Sequence, residues 1–132
     1  MPNEVISTPD APLFPAYSQA VRAGDTVYVA GTVGVDVATG EPAGPGIRAQ
    51  TRQALLNCRA ILRAAGADLG DVVMVHTLLL RPSDADDVIE VFEEFFPDVR
   101  PPRCVSRLGV DRPGIVVSLA MVAVADAGRR GD

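Results

Sequence analysis

The sequence predicts an α+β fold, a mixed β-sheet with two helices packed on one face, within a single domain spanning residues 1–132. Three observations carry that expectation. Leu55, Cys58, Ile61 and Leu62 recur at spacings of three and four between residues 47 and 65, with Arg48, Arg52, Arg59 and Arg63 as the polar complement. That is the pattern of an amphipathic helix. Shorter β-branched runs flank it, two of them close enough to form a hairpin around Gly24. Residues 115–124 are apolar at every position except Ser118. Such a strand buries both faces of its sheet, and two helices cover only one, so a second copy of the chain is expected on the other.

The elements follow in order. Residues 5–7 suit a short strand, stopped by Pro9 and Pro12, which lack the amide donor that a ladder needs. Residues 17–21 and 26–30 read as a hairpin whose turn is residues 22–25. Residues 36–46 are dense in glycine and proline and read as an exposed loop. Gly66 should stop the first helix. Residues 72–80 are a buried strand interrupted by His76 and Thr77. Ser83 is the expected N-cap of a second helix running to Phe96, with Asp84, Asp86 and Asp87 near its positive end and Pro97 after it. Residues 103–108 and 115–124 are expected to pair as a final hairpin. The end of the chain, 125–132, reads as a flexible tail.

Composition narrows the function classes. The formal net charge is -5, and its arginines are dispersed in an acidic background, which argues against a nucleic-acid partner. No stretch approaches a membrane span, and residues 1–4 do not resemble a signal peptide, so a cytoplasmic protein without membrane partners is expected. All twelve basic residues are arginine. Without lysine there is no amine for a Schiff base with a carbonyl substrate or pyridoxal phosphate, and non-covalent chemistry without a cofactor is expected. One histidine and scattered carboxylates show no metal-ligand spacing. Cys58 and Cys104 lie far apart and outside any metal or redox motif, so both read as free thiols.

Arg103 is the most informative residue. It follows Pro101-Pro102 at the start of a strand, and a guanidinium binds a carboxylate through two parallel hydrogen bonds. A small organic acid is its natural ligand; a salt bridge between subunits is the alternative. Tyr17 either lines a pocket or packs. Ser118 either binds a water or bonds a neighbouring strand. His76, the lone histidine, either sits in the core or supplies a base, with Cys104 its conceivable nucleophilic partner.

Four segments stand in a recognisable order: residues 16–21 (AYSQAV), 29–31 (VAG), 50–57 (QTRQALLN) through 64–66 (AAG), and Pro102-Arg103. Together they resemble the RidA family, also called YjgF/YER057c/UK114, over residues 5–124. The resemblance implies a chorismate-mutase-like fold, a homotrimer with ligand sites in the clefts between subunits, and hydrolysis of reactive 2-imino and 2-enamino acids to 2-oxo acids and ammonia. It implies that Arg103 binds the substrate carboxylate, that Tyr17 lines the pocket and that Gly31 shapes the cleft. Several positions depart from the family pattern. Ser118 stands where deaminating members carry a glutamate that positions the attacking water, Ile89 where they carry an asparagine, Thr32 at the polar position after Gly31, and Val105 where cysteine or threonine is common. With Cys104, these complete the expected site, with Arg103 and Ser118 as its catalytic pair. Val105 leaves a more apolar wall two residues from Arg103, which points to a bulkier or more apolar substrate. A different enzyme on the same fold, acting on another small carboxylate in a specialised pathway, and a non-catalytic ligand-binding trimer are the alternatives.

Overall fold

The computed structural model describes residues 2–109 and 112–125. Eight strands and two helices follow in the order β1 (Glu4–Ile6), β2 (Ala20–Ala23), β3 (Thr26–Val33), β4 (Val35–Asp36), β5 (Glu41–Pro42), α1 (Ile47–Ala64), β6 (Val72–Leu79), α2 (Ala85–Phe95), β7 (Arg103–Arg107) and β8 (Val117–Val124). Six strands form one mixed sheet, β1-β2-β3-β8-β6-β7, antiparallel except where β6 meets β7. β4 and β5 make a small separate ribbon inside the segment expected to be loop.

Helix α1 forms where the periodicity placed it. Its buried positions include Ala54, Leu55, Cys58, Ile61 and Leu62, and they meet Val27 and Val29 of β3 and Val117, Leu119, Met121 and Ala123 of β8 in the main core. Gly66 ends the helix at φ +82°, a conformation that glycine adopts without a Cβ clash, while the amide of Ala67 returns to the carbonyl of Leu62 at 2.8 Å. Gln50 ties this helix to the loops beside it. Its Nε2 donates to the carbonyls of Gly44 and Gly114, both at 2.7 Å, and its Oε1 accepts from the amide of Val116 at 3.0 Å. Gly34 allows the close approach of strand and helix, since a Cβ there would lie 2.8 Å from the Cα and carbonyl carbon of Gln50.

Three expectations need correction. Residues 103–107 and 117–124 do not form a hairpin: β6 lies between them, antiparallel to β8 and parallel to β7. Two apolar runs joined by a Gly-Pro loop look like a hairpin in sequence, but the deeper pairing of β6 with β8 claims the central position. β2 begins at Ala20 and leaves Tyr17 in the preceding turn, because Gln19 turns its side chain back onto the proline-rich loop. Ser83 is not the cap of α2. It lies within a 3-10 turn, Pro82–Asp84, and Asp84 occupies the cap position without a side-chain hydrogen bond, although Asp86 and Asp87 do occupy the first turn. Within one chain β8 is fully covered on its helix face only, as two helices on one side of the sheet require. Val117, Leu119, Met121 and Ala123 are buried on the helix face, whereas on the other Ala120 and Val122 are half-buried and Val124 is exposed. The tail expected at 125–132 falls beyond the described residues except for Ala125, which is buried.

Candidate functional site

The expected site residues fall into two groups on opposite faces of the sheet. The first surrounds a break in the β3–β8 ladder. Regular pairing is interrupted between Val29 and Thr32, so Ala30 and Gly31 form a bulge. Ser118 pairs with Val33 on one side and Leu78 on the other. Its hydroxyl lies where a Cβ on Gly31 would sit only 3.0 Å away. The residue is just 6% exposed, yet among the described residues its Oγ has no hydrogen-bond partner. Such a hydroxyl is available to a water or a ligand. A small apolar cluster of Val33, Leu108 and Ile115, with Phe14 and Leu78 packed against it, walls this region.

Tyr17 reaches the same region from the proline-rich loop. Gln19 staples that loop: its Oε1 accepts from the amide of Thr8 at 2.7 Å, and its Nε2 donates to the carbonyls of Thr8, Ala11 and Pro12. The Ala30 amide donates in turn to the Gln19 carbonyl at 2.9 Å, which couples the loop to the bulge. Tyr17 is 45% exposed and its ring stacks on Phe14, with centroids 5.4 Å apart, while Arg112 lies over the other ring at 5.0 Å. Phe14, Gln19 and Arg112 were not singled out from sequence. The Phe14-x-x-Tyr17 spacing in a proline-bound loop was the available signal.

The second group lies on the edge strand. Every residue of β7 is exposed. Arg103 pairs with Val75 and so shares the helix side of the sheet, where it borders a cavity of about 180 Å³ lined by Ile89, Phe92, Glu93, Phe96, Arg100 and Pro101. Among the described residues Arg103 has no hydrogen-bond or ion-pair partner, whereas Arg48, Arg52, Arg63 and Arg100 are each paired with a carboxylate. An unpaired guanidinium beside an apolar hollow is a ready carboxylate anchor. Ile89 and Phe92 are spaced to line the hollow from one face of α2, a signal legible in the sequence as i and i+3.

The remaining residues separate from these groups. Thr32 turns to the core, where its hydroxyl donates to the carbonyl of Ala30 at 2.8 Å. Burial pushes the Cys58 thiol up to about 12, against a smaller opposing effect of the Thr32 hydroxyl. Val105 lies exposed, two residues beyond Arg103 on the same strand face. Cys104 pairs with His76 across the parallel ladder, on the face that also carries Ser118; both are exposed. Among the described residues no three His, Cys, Asp or Glu side chains are grouped to hold a metal, and no described helix is long and apolar enough to cross a membrane.

Arg103 and Ser118 do not meet within one chain. Ser118, Leu78 and Ser106 stand in one row across β8, β6 and β7, and Arg103 is three residues from Ser106. Two strand spacings and three residues of rise put their Cα atoms roughly 14 Å apart, on opposite faces.

Comparison with known proteins supplies the family. Residues 8–125 fit the family model described as Endoribonuclease L-PSP. A 2-iminobutanoate/2-iminopropanoate deaminase of Dermatophagoides farinae is 40% identical over 110 residues, which cover 83% of this chain and 84% of that protein. The crystal structure of RidA from the Antarctic bacterium Psychrobacter sp. PAMC 21119 superposes with a TM-score of 0.86 at 35% identity, covering 92% of this chain and 98% of that one. TdcF of E. coli, solved with bound serine, gives 0.86 at 27% identity, over 93% and 99% of the two chains. These matches along nearly the whole length place the chain in the RidA (YjgF/YER057c/UK114) family.

Proposed function

We propose that the chain is an imine deaminase of the RidA type, hydrolysing 2-imino acids to 2-oxo acids and ammonia in a cleft completed by a second copy of itself. The observation that carries this reading is Arg103, exposed, without a partner among the described residues and set beside an apolar hollow, at the position where the family resemblance implies carboxylate binding. The relative named as a 2-iminobutanoate/2-iminopropanoate deaminase and the relative holding serine, an amino acid whose carboxylate an arginine would grip, support it. The separation of the two groups supports a homotrimer, because a second subunit can bring Tyr17, Gly31 and Ser118 opposite Arg103. The partly apolar open face of the sheet, with Tyr28 and Val124 exposed, gives that contact a surface.

The chemistry needs little from the protein. A protonated imine is already electrophilic at C2. Arg103 holds the carboxylate, and the Ser118 hydroxyl with the backbone at the Gly31 bulge orients a water towards that carbon. The water oxygen bonds to C2 as the C=N π pair moves to nitrogen, and one water proton passes to that nitrogen; the C–N bond of the carbinolamine then breaks and the hydroxyl proton passes to the departing ammonia, leaving the 2-oxo acid. Ser118 orients the water but is no base near neutral pH. Both cysteines are free and the net charge is -5, in keeping with a cytoplasmic protein that does not bind nucleic acid.

The test generates 2-imino acids in situ with an amino-acid oxidase and follows their loss against semicarbazide trapping. Acceleration of hydrolysis is expected, with a particle of three times 13.8 kDa by light scattering. A protein that accelerates none of the imines offered refutes the reading. Ser118 in place of a glutamate favours one second reading, a trimer that binds small carboxylates without turnover; Arg103-dependent binding with no hydrolysis would establish it.

A further inference from the structure

Given the deaminase reading, on which this inference rests, we infer that the hollow between β7 and α2 selects 2-imino acids carrying a branched aliphatic or aromatic side chain. Arg103 and the apolar wall of Ile89, Phe92, Phe96 and Pro101 belong to one cavity. In a 2-imino acid the carboxylate and the side chain leave the same carbon, so a molecule gripped by Arg103 has that wall within reach of its side chain. Size decides what fits. The cavity measures about 180 Å³, and an apolar cavity of about 150 Å³ in another protein holds benzene. A methyl or ethyl side chain leaves most of this volume empty, whereas an isobutyl or benzyl group fills it.

Charge agrees with size. Among the described residues one acid lies on the lining, Glu93, which accepts a hydrogen bond from Arg100 at 3.2 Å, so its repulsion of an incoming carboxylate is offset and Arg103 keeps its own charge for the substrate. Ile89 and Phe92 present no polar atom to the hollow, so a polar side chain turned against that wall would lose its water there without compensation. Each additional buried carbon is worth about a fourfold gain. The three that separate isobutyl from methyl therefore raise kcat/KM on the order of 50-fold.

The experiment compares kcat/KM for imines derived from alanine, 2-aminobutyrate, leucine and phenylalanine, in the native protein, Ile89→Asn and Ile89→Trp, with thermal melts of all three. The leucine-to-alanine ratio should be on the order of 50 in the native protein. It should fall at least tenfold in Ile89→Asn, which makes the wall polar, and in Ile89→Trp, which fills the hollow. If no imine is turned over, the deaminase reading falls and this inference with it. Turnover with a native ratio near one, or favouring the small imine, overturns the inference alone. So does a high ratio that survives both substitutions in folded protein, because the selecting wall would then lie elsewhere.

Discussion

Replacing Arg103 separates its two candidate roles, substrate anchor and structural strut. Two charge-assisted hydrogen bonds to a carboxylate are worth about 1.5 to 3 kcal/mol each. β7 is exposed along its length, which argues for the lower end, so Arg103→Ala should lower kcat/KM by about 3 kcal/mol, or roughly 150-fold. Arg103→Lys keeps the charge but loses the planar fork, and should recover only part of that loss. Stability should behave differently. Arg103 is exposed and has no partner among the described residues, so its removal should change unfolding free energy by no more than about 0.5 kcal/mol. The assay pairs imine hydrolysis with a denaturant melt and light scattering on the same preparations. Full activity in Arg103→Ala would refute the anchor. Loss of activity together with dissociation would refute it too, and would make Arg103 an intersubunit ion pair.

Three further outcomes are expected. Ser118→Ala and Gly31→Ala should each lower kcat about tenfold while leaving KM nearly unchanged, because both act on the water side; an added Cβ at Gly31 lies 3.0 Å from the Ser118 hydroxyl, which can rotate away, so the fold should survive. Gln50→Leu leaves the carbonyls of Gly44 and Gly114 and the amide of Val116 without their partner and should cost about 3 to 5 kcal/mol in denaturant unfolding, whereas a cost below 1 kcal/mol would show that other groups satisfy them. Cys58 is held protonated in the folded chain up to about pH 12 and ionises near 9 when exposed, so its contribution is complete below pH 9 and drains away between 9 and 12, by up to about 4 kcal/mol; stability measured from pH 7 to 10.5 should fall less steeply in Cys58→Ala than in the native protein.

Local chemistry was legible in the sequence, and long-range pairing was not. α1 and the Gly24 turn follow from spacing and from a residue that tolerates positive φ, both properties of a few neighbouring positions. The place of β6 between β7 and β8 is decided by which long apolar strand best fills the middle of the sheet, and residues 72–79 carry no local mark of it. The same limit governs the site. Arg103 and Ser118 could each be chosen from residue type and family position, whereas the apolar wall was expected at Val105 and lies instead at Ile89, Phe92 and Phe96. Their separation could not be read, because it depends on β6 lying between their strands and on the alternation that turns Arg103 to the helix side and Ser118 away from it. Misplacing one strand also misplaces the site. A true β7–β8 hairpin would have made the two residues near neighbours in one subunit and removed the need for a second copy. The parallel β6–β7 pairing instead leaves Arg103 on a sheet edge with no partner among the described residues, and an edge is where a neighbouring subunit can approach. An enzyme arranged this way should lose activity on dilution below its assembly constant even with every residue intact. Mixing Arg103→Ala with Ser118→Ala should then restore activity through clefts that receive both native residues, whereas a site contained within one chain would show no such rescue.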